Sequence, residues 1–196
     1  MLPQIDKPLI LDIGCGSGIS TLELAKLCNG EIIGIDIDQP ALNRFNNNIT
    51  EAKLTHRVRA LNCSMVDMDF PDESFDIIWS EGSIYAIGFE CGLREWRHLL
   101  KRVGYMVIHD EKGNISEKLE QISSYGYELL GYFTLNEETW WTEYFAPLEQ
   151  LIGEFHTKRS SDPEIIKELN RAQEEEDFYK RYPERNSSVC FVIKKY

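Results

Sequence analysis

The stretch "LILDIGCGSG", Leu9 to Gly18, is an apolar run that ends in three alternating glycines. A glycine turn after a buried strand lets the backbone approach a ligand closely, and open α/β sheets bind ligands at the carboxyl ends of their strands. From Asp12 the spacing is D-x-G-x-G-x-G, whereas the dinucleotide fingerprint has its third glycine one residue later. No Lys-Ser/Thr pair follows, which excludes a P-loop. The turn therefore predicts a nucleotide-like ligand of another kind.

Strands and helices are predicted to alternate after this turn. Apolar periodicity predicts helices over Ile19–Leu27, Gln39–Lys53 and Leu93–Lys101. The predicted strands are "PLILDI", "EIIGIDID", "RVRALN", "SFDIIWS", "GYMVIHD", "YELLGYFTL" and "SVCFVIKKY". This alternation predicts a parallel sheet with helices on both faces. Residues 1–196 are predicted to form a single domain, in which residues 136–185 are a helical insertion or lid before the last strand.

Composition restricts the partners and the compartment. Lys plus Arg number 21 against 33 for Asp plus Glu, and this net charge of −12 disfavours nucleic acid and anionic membranes as partners. The N-terminus has no basic segment before a long apolar run, so we predict a cytoplasmic protein. The five cysteines are scattered, and His56, His98 and His156 lack ligand spacing, so no disulfide framework and no metal site is predicted.

Asp36 sharpens the prediction of the ligand. It ends the second predicted strand, where a carboxylate can accept hydrogen bonds from both ribose hydroxyls of an adenosyl ligand. Asp12 has two interpretations: it anchors the ligand from below the turn, or it caps the N–H groups of the turn.

These residues, with "FPDESFDIIWSEGSIY" and "WRHLLKRVGYMVIHD", resemble the class I S-adenosylmethionine-dependent methyltransferases over about residues 8–110. Within that class the chain is similar to the small-molecule group of the quinone-biosynthesis C-methyltransferases, and "WSEGSIYAIGFE" and "ETWWTEYFAPLE" resemble a little-characterised microbial branch. The resemblance implies a doubly wound, Rossmann-like, mostly parallel α/β sheet of seven strands, the last one antiparallel. It also implies S-adenosyl-L-methionine as the cofactor.

The resemblance further implies which residues contact the cofactor. Gly14 and Gly16 would line the methionine portion, Asp36 would hold the ribose, and Ile37 would pack on the adenine. Ser64 stands where many relatives have an acidic residue that meets the adenine. The predicted cofactor contacts are Asp12, Gly14, Cys15, Gly16, Gly18, Asp36, Ile37, Ser64, Met65 and Ser80.

Three residues are candidates for acid–base catalysis. Glu81 follows the fourth strand and can accept a proton from the nucleophile, or it is a carboxylate that meets water. Tyr85 lines the substrate pocket or packs, and His109 is a base or a structural histidine. Because the chain begins beside the first strand, the insertion is expected to close the pocket. Trp140 and Trp141 are its predicted substrate contacts, with packing as the alternative.

The predicted function is S-adenosylmethionine-dependent methyl transfer to a small molecule. The alternative is a non-catalytic protein that binds or senses an adenosyl cofactor. A nicotinamide dehydrogenase is disfavoured by the glycine spacing. The sequence does not distinguish a carbon, nitrogen, oxygen or sulfur acceptor, and it does not determine the oligomeric state.

Overall fold

The structure is a computed structural model that describes residues 2–158, 163–182 and 187–196, without the side chains of residues 157, 158, 164 and 168. The predicted end of the insertion, at residue 185, lies outside the described residues. The elements in chain order are β1 Leu9–Ile13, α1 Ile19–Leu27, β2 Glu31–Asp36, α2 Gln39–Glu51, β3 Val58–Asn62, β4 Phe75–Glu81, α3 Phe89–Glu95, β5 Leu100–Glu111, α4 Ile115–Ser124, β6 Tyr127–Leu135, α5 Glu137–Trp140, α6 Ala146–Lys158, α7 Pro163–Arg181 and β7 Ser188–Lys195.

The seven strands form one sheet in the order β3-β2-β1-β4-β5-β7-β6, and the last strand is antiparallel. β1 pairs in parallel with both β2 and β4, so the strand order reverses beside β1. Ligands of open α/β sheets bind at such a reversal, next to the ends of the strands. We call the edge at which the parallel strands end the carboxyl edge. The predicted fold class is confirmed, and the glycine turn lies at the switch point.

The helix predicted over Leu93–Lys101 is wrong in its bounds. The structure has α3 over Phe89–Glu95, a 3₁₀ turn over Arg97–Leu99, and the start of β5 at Leu100. Phe89, Leu93 and Trp96 recur at helical spacing and are buried, which sets the face of α3 earlier in the chain. Leu100 instead pairs with Phe75 of β4, so its apolar side chain belongs to the strand pattern.

The core on one face of the sheet is built from β-branched strand residues and aromatic or aliphatic helix residues. Ile10, Ile32 and Ile77 pack there with Leu42 and Phe45 of α2. Phe45 is fully buried, and its ring lies next to Gly18 of the glycine turn. This packing fixes α2 beside the glycine turn.

The chain divides into two compact units. The first contains Met1–Phe133 and Cys190–Tyr196, and the second contains Thr134–Val189. The second unit is helical, and a π-helical turn over Trp141–Phe145 joins α5 to α6. Its interior contains Phe145 stacked on Tyr179, with ring centroids 3.9 Å apart. The assignment of this unit as a lid stays a prediction.

Among the described residues, we find no helix with both the length and the apolar character that a bilayer crossing requires.

Candidate active site

The glycine turn after β1 is tied to the neighbouring strand by its own backbone. The N–H groups of Gly14 and Cys15 both donate to the Ile35 carbonyl oxygen, at 2.9 and 3.0 Å. The φ values of Gly14, Gly16 and Gly18 are 78°, 53° and 78°. These values lie in the left-handed region, which residues other than glycine rarely adopt. The turn is therefore a fixed feature of the carboxyl edge.

The three glycines differ in what surrounds them. A Cβ atom on Gly14 would lie 2.3 Å from the Cβ of Ser83, and one on Gly18 would lie 1.9 Å from the Phe45 ring. A Cβ atom on Gly16 would meet no heavy atom within 4 Å. Gly14 and Gly18 are thus required for packing within the protein, whereas Gly16 borders open space that a ligand can fill.

Asp36 ends β2 and is held by two backbone donors. The Gly16 N–H donates to its Oδ2 at 2.8 Å, and the Asp38 N–H donates to its Oδ1 at 2.9 Å. A carboxylate has about four acceptor positions, so each oxygen keeps one for a further donor. The next residue, Ile37, has 72% of its surface exposed. Three features thus lie close together: the acceptor oxygens of Asp36, the exposed apolar surface of Ile37 and the open space over Gly16.

Asp12 is buried, and its hydrogen bond comes from the Thr21 hydroxyl on α1. The interpretation that Asp12 caps the turn does not hold for Gly14, Cys15 and Gly16, whose N–H groups bond to Ile35 and Asp36. Burial raises the pKa of Asp12 from 3.8 to about 7; the Thr21 hydrogen bond opposes this, and the charges of Glu81 and Asp36 add to it. The site thus favours a cation that can neutralise these carboxylates.

A cavity of about 230 Å³ brings several of these residues together. It is lined by Asp12, Gly14, Cys15, Gly16, Ser17, Ile19, Ser20 and Glu81. A larger cavity of about 890 Å³ lies between the N-terminal segment and α1 and contains none of the predicted site residues. Because only the smaller cavity is lined by predicted site residues, it is the candidate for the ligand site.

The family described as "Methyltransferase domain" matches residues 10–104, which include the glycine turn, Asp36 and Glu81. The match spans 95 of the 196 residues, so this part of the chain is similar to methyltransferase domains. The predicted resemblance to the class I methyltransferases is confirmed, and S-adenosylmethionine is the cofactor of that class.

A curated relative is also a methyltransferase. The chain is 31% identical over 85 residues to 27-O-demethylrifamycin SV methyltransferase of Amycolatopsis mediterranei (strain S699), covering 43% of this chain and 31% of that protein. The chain spans 41% of the length of an uncharacterized protein of Haemophilus influenzae and 31% of the length of the rifamycin methyltransferase, so it matches less than half of either relative.

Two solved structures share the fold. The [4+2]-cyclase SpnF has a TM-score of 0.75 at 19% identity, covering 97% of this chain and 76% of that one. Geranyl diphosphate C-methyltransferase from Streptomyces coelicolor A3(2), in complex with S-adenosyl-L-homocysteine, has a TM-score of 0.69 at 16% identity, covering 100% and 76%.

Ser80 lies near the end of β4. Its side chain is fully buried, and its Oγ lies 2.9 Å from the Ser83 Oγ. Ser83, which the sequence analysis missed, also donates to the Ile13 carbonyl oxygen at the end of β1. This serine pair joins the ends of β1 and β4 beside Gly14, and the contact of Ser80 with the cofactor stays a prediction.

Two of the three candidate acid–base residues, Glu81 and His109, lie on neighbouring strands. Glu81 of β4 is in register with His109 of β5, and the Trp79 indole N–H donates to Glu81 at 3.3 Å. Burial lowers the pKa of His109, against the raising effect of Glu81 and Asp110. Tyr85 lies on the 3₁₀ turn after β4 and is 67% exposed. The structure brings Glu81 and His109 together, and their roles stay proposals.

Ser64 and Met65 form a tight turn after β3. The Asp67 N–H donates to the Ser64 carbonyl oxygen at 3.1 Å, and the Trp96 indole N–H donates to that of Met65 at 2.9 Å. The preceding residue, Cys63, donates its N–H to the Asp36 carbonyl oxygen at 3.0 Å. The turn is therefore fixed next to Asp36, as the predicted adenine contact requires.

Trp140 and Trp141 belong to the second compact unit. The Trp140 indole N–H donates to the Ser188 Oγ at 3.1 Å, and Trp141 stacks on Tyr179 with centroids 5.7 Å apart. These contacts support the packing alternative within that unit, and the substrate contact stays a prediction.

Among the described residues, no three or more His, Cys, Asp or Glu side chains are grouped so that they could hold a metal ion.

Proposed function

We propose that this protein transfers the methyl group of S-adenosylmethionine to a small-molecule acceptor. The observation that supports this most strongly is the pairing of Gly16 with Asp36: the Gly16 N–H fixes the Asp36 carboxylate, and open space lies over Gly16. A carboxylate at the end of β2 is placed to accept the ribose hydroxyls of an adenosyl group. Ile37 supplies an exposed apolar surface beside it for the adenine.

The charges at the cavity fit this cofactor. The charges of Asp36 and Glu81 are close enough to Asp12 to raise its pKa. S-adenosylmethionine has a sulfonium and an ammonium group, so its binding would relieve the repulsion among these carboxylates. Asp12 would act from beneath the turn, and the glycines would let the methionine portion approach the backbone.

The protein's part in the reaction is mainly to align the acceptor. When bound, the cofactor supplies a methyl carbon that its sulfonium already activates. Alignment of the reacting groups can supply about 7–11 kcal/mol in well-oriented systems. Glu81 or His109 would accept a proton from an acceptor that must lose one, and Tyr85 would line the acceptor side.

Asp36→Ala tests the cofactor site. We expect the affinity for S-adenosylhomocysteine to fall by about 1.5–3 kcal/mol, because the ribose hydroxyls lose a charged acceptor. Isothermal titration measures this directly. Glu31→Ala is the matched control, since Glu31 is an exposed carboxylate at the opposite end of the same strand. Equal affinity of wild type and Asp36→Ala would contradict the placement of the ribose.

Catalysis and mere binding are separated by turnover. Incubation with methyl-labelled cofactor and a metabolite mixture should transfer the label to a small molecule. A protein that binds S-adenosylhomocysteine tightly but yields no labelled product with such mixtures would instead be the non-catalytic binding protein.

Single Trp→Phe variants test the proposed lid. A lid tryptophan should change acceptor affinity or turnover, with little change in cofactor binding. Trp140→Phe loses the hydrogen bond to Ser188, and Trp141→Phe reduces the stacking on Tyr179. The melting temperature measures the effect of these lost packing contacts, independently of acceptor binding and turnover. If both variants lose stability and turnover of an identified acceptor is unchanged, the tryptophans are scaffold.

A further inference from the structure

The carboxyl edge of the sheet is strongly acidic. The strand ends and loops at this edge, which the structure describes in full from β1 to β5, contain one basic residue, Lys112, and no arginine. Nearby on α4, Lys118 is already paired with Asp110 at 2.6 Å. The acidic residues of this edge are Asp12, Asp36, Asp38, Asp67, Glu81, Asp110 and Glu111.

Basic residues concentrate at the opposite edge. Several of them come just before a parallel strand or in its first residues, or end the antiparallel β7. They are Lys7, Arg57, Lys101, Arg102 and Lys195. The opposite edge also contains acidic residues, so its charges are close to balanced; they are Asp6, Glu31, Asp72, Glu73 and Asp76. The carboxyl edge from β1 to β5 is therefore more negative than the opposite edge of the same sheet.

Glu81 is the acidic residue best placed for the acceptor. It is exposed at the end of β4, lines the cavity beside the glycine turn, and is in register with His109. Glu81 accepts a hydrogen bond from the Trp79 indole at 3.3 Å. Asp36 instead accepts two backbone hydrogen bonds, and Asp12 is buried. Tyr85, four residues after Glu81, exposes an aromatic ring, and aromatic faces attract cations.

We infer that the methyl acceptor is a basic amine that arrives as an ammonium ion and is held by Glu81. This inference rests on the proposed function. A carboxylate or phosphate acceptor would meet like charges at the strand ends and loops from β1 to β5, which contain no arginine to bind it.

The charges balance for such an acceptor. The ammonium gives one proton to Glu81, which passes it to solvent. The nitrogen lone pair then forms the N–C bond to the methyl carbon, while the C–S bond breaks and its electron pair stays on sulfur. The positive charge moves from the sulfonium to the methylated nitrogen, and the amine product leaves as a cation.

The test uses binding, so it does not require the natural acceptor. The probes are analogues of S-adenosylhomocysteine in which nitrogen replaces sulfur and bears a short alkyl chain ending in an ammonium, a hydroxyl or a carboxylate. We expect the ammonium analogue to bind at least about tenfold more tightly than the carboxylate analogue at low salt. This ratio should shrink as salt is raised.

Glu81→Gln should remove most of this preference, and Glu73→Gln, at the start of β4, should leave it unchanged. A carboxylate analogue that binds as tightly as the ammonium analogue would overturn the amine assignment. Glu81→Gln with the full preference retained would overturn the role of Glu81. Failure of S-adenosylhomocysteine itself to bind would instead refute the proposed function.

Discussion

The folding stability of the wild type is expected to fall by about 4 kcal/mol relative to Asp12→Asn as pH rises from about 4 to about 7. The cause is the buried Asp12 carboxyl, whose pKa is raised from 3.8 to about 7 mainly by loss of solvation. Each pH unit between the two values corresponds to about 1.4 kcal/mol. The asparagine keeps an oxygen that can accept the Thr21 hydrogen bond but does not titrate.

The direction follows from the protons bound. Between the two pKa values the folded state holds the Asp12 proton and the unfolded state does not, so raising the pH favours unfolding. This contribution is fully present below about pH 4 and is lost as pH rises through about 7. Because other carboxylates titrate in both proteins, the difference between the two stability curves isolates Asp12.

Urea unfolding at several pH values measures both curves. Asp38→Asn is the control, because Asp38 is exposed and caps α2 through the Ala41 N–H. A stability difference between wild type and Asp12→Asn that stays constant with pH would show that the pKa of Asp12 is the same in the folded and unfolded states, against the burial argument.

Gly18→Ala is expected to lower the free energy of unfolding by about 2–5 kcal/mol. A left-handed conformation costs a non-glycine residue about 1–2 kcal/mol, and overpacking a core typically costs about 1–3 kcal/mol. Both costs apply here, since Gly18 has a φ of 78° and its new Cβ would lie 1.9 Å from the buried Phe45 ring.

Gly16→Ala provides the matched comparison. Its φ of 53° imposes a similar backbone cost, but its Cβ would meet no protein atom within 4 Å. We therefore expect a loss of only about 1–2 kcal/mol in stability, and a larger substitution, Gly16→Val, should block S-adenosylhomocysteine binding. Chemical denaturation and titration of the variants check this. A folded Gly16→Val protein with normal affinity would place the ligand elsewhere.

The sequence predicts much of the sheet because each strand has its own apolar pattern. The glycine turn and Asp36 could also be identified, since they lie directly at the ends of predicted strands. The antiparallel last strand followed from the resemblance and not from any local pattern. The bounds of α3 could not be predicted accurately, because Leu99 and Leu100 fit the apolar pattern of a helix and that of a strand equally well.

Contacts between distant segments escaped the sequence analysis. Ser83 donates to Ile13, 70 residues earlier, and no local signal distinguishes it from Ser80. The Thr21 partner of Asp12 lies one α-helical turn beyond the glycines, where a hydroxyl gives no sign of the direction it faces. The separate roles of the glycines depend on Ser83 and Phe45, which only the folded chain brings beside them.

We propose that the glycine turn and Asp36 hold S-adenosylmethionine. Parallel titrations of the wild-type chain with S-adenosylhomocysteine and with NAD test it most directly. We expect saturable binding of S-adenosylhomocysteine at one site per chain, a rise in melting temperature with its concentration, and neither effect with NAD. Binding of NAD without binding of S-adenosylhomocysteine would contradict it.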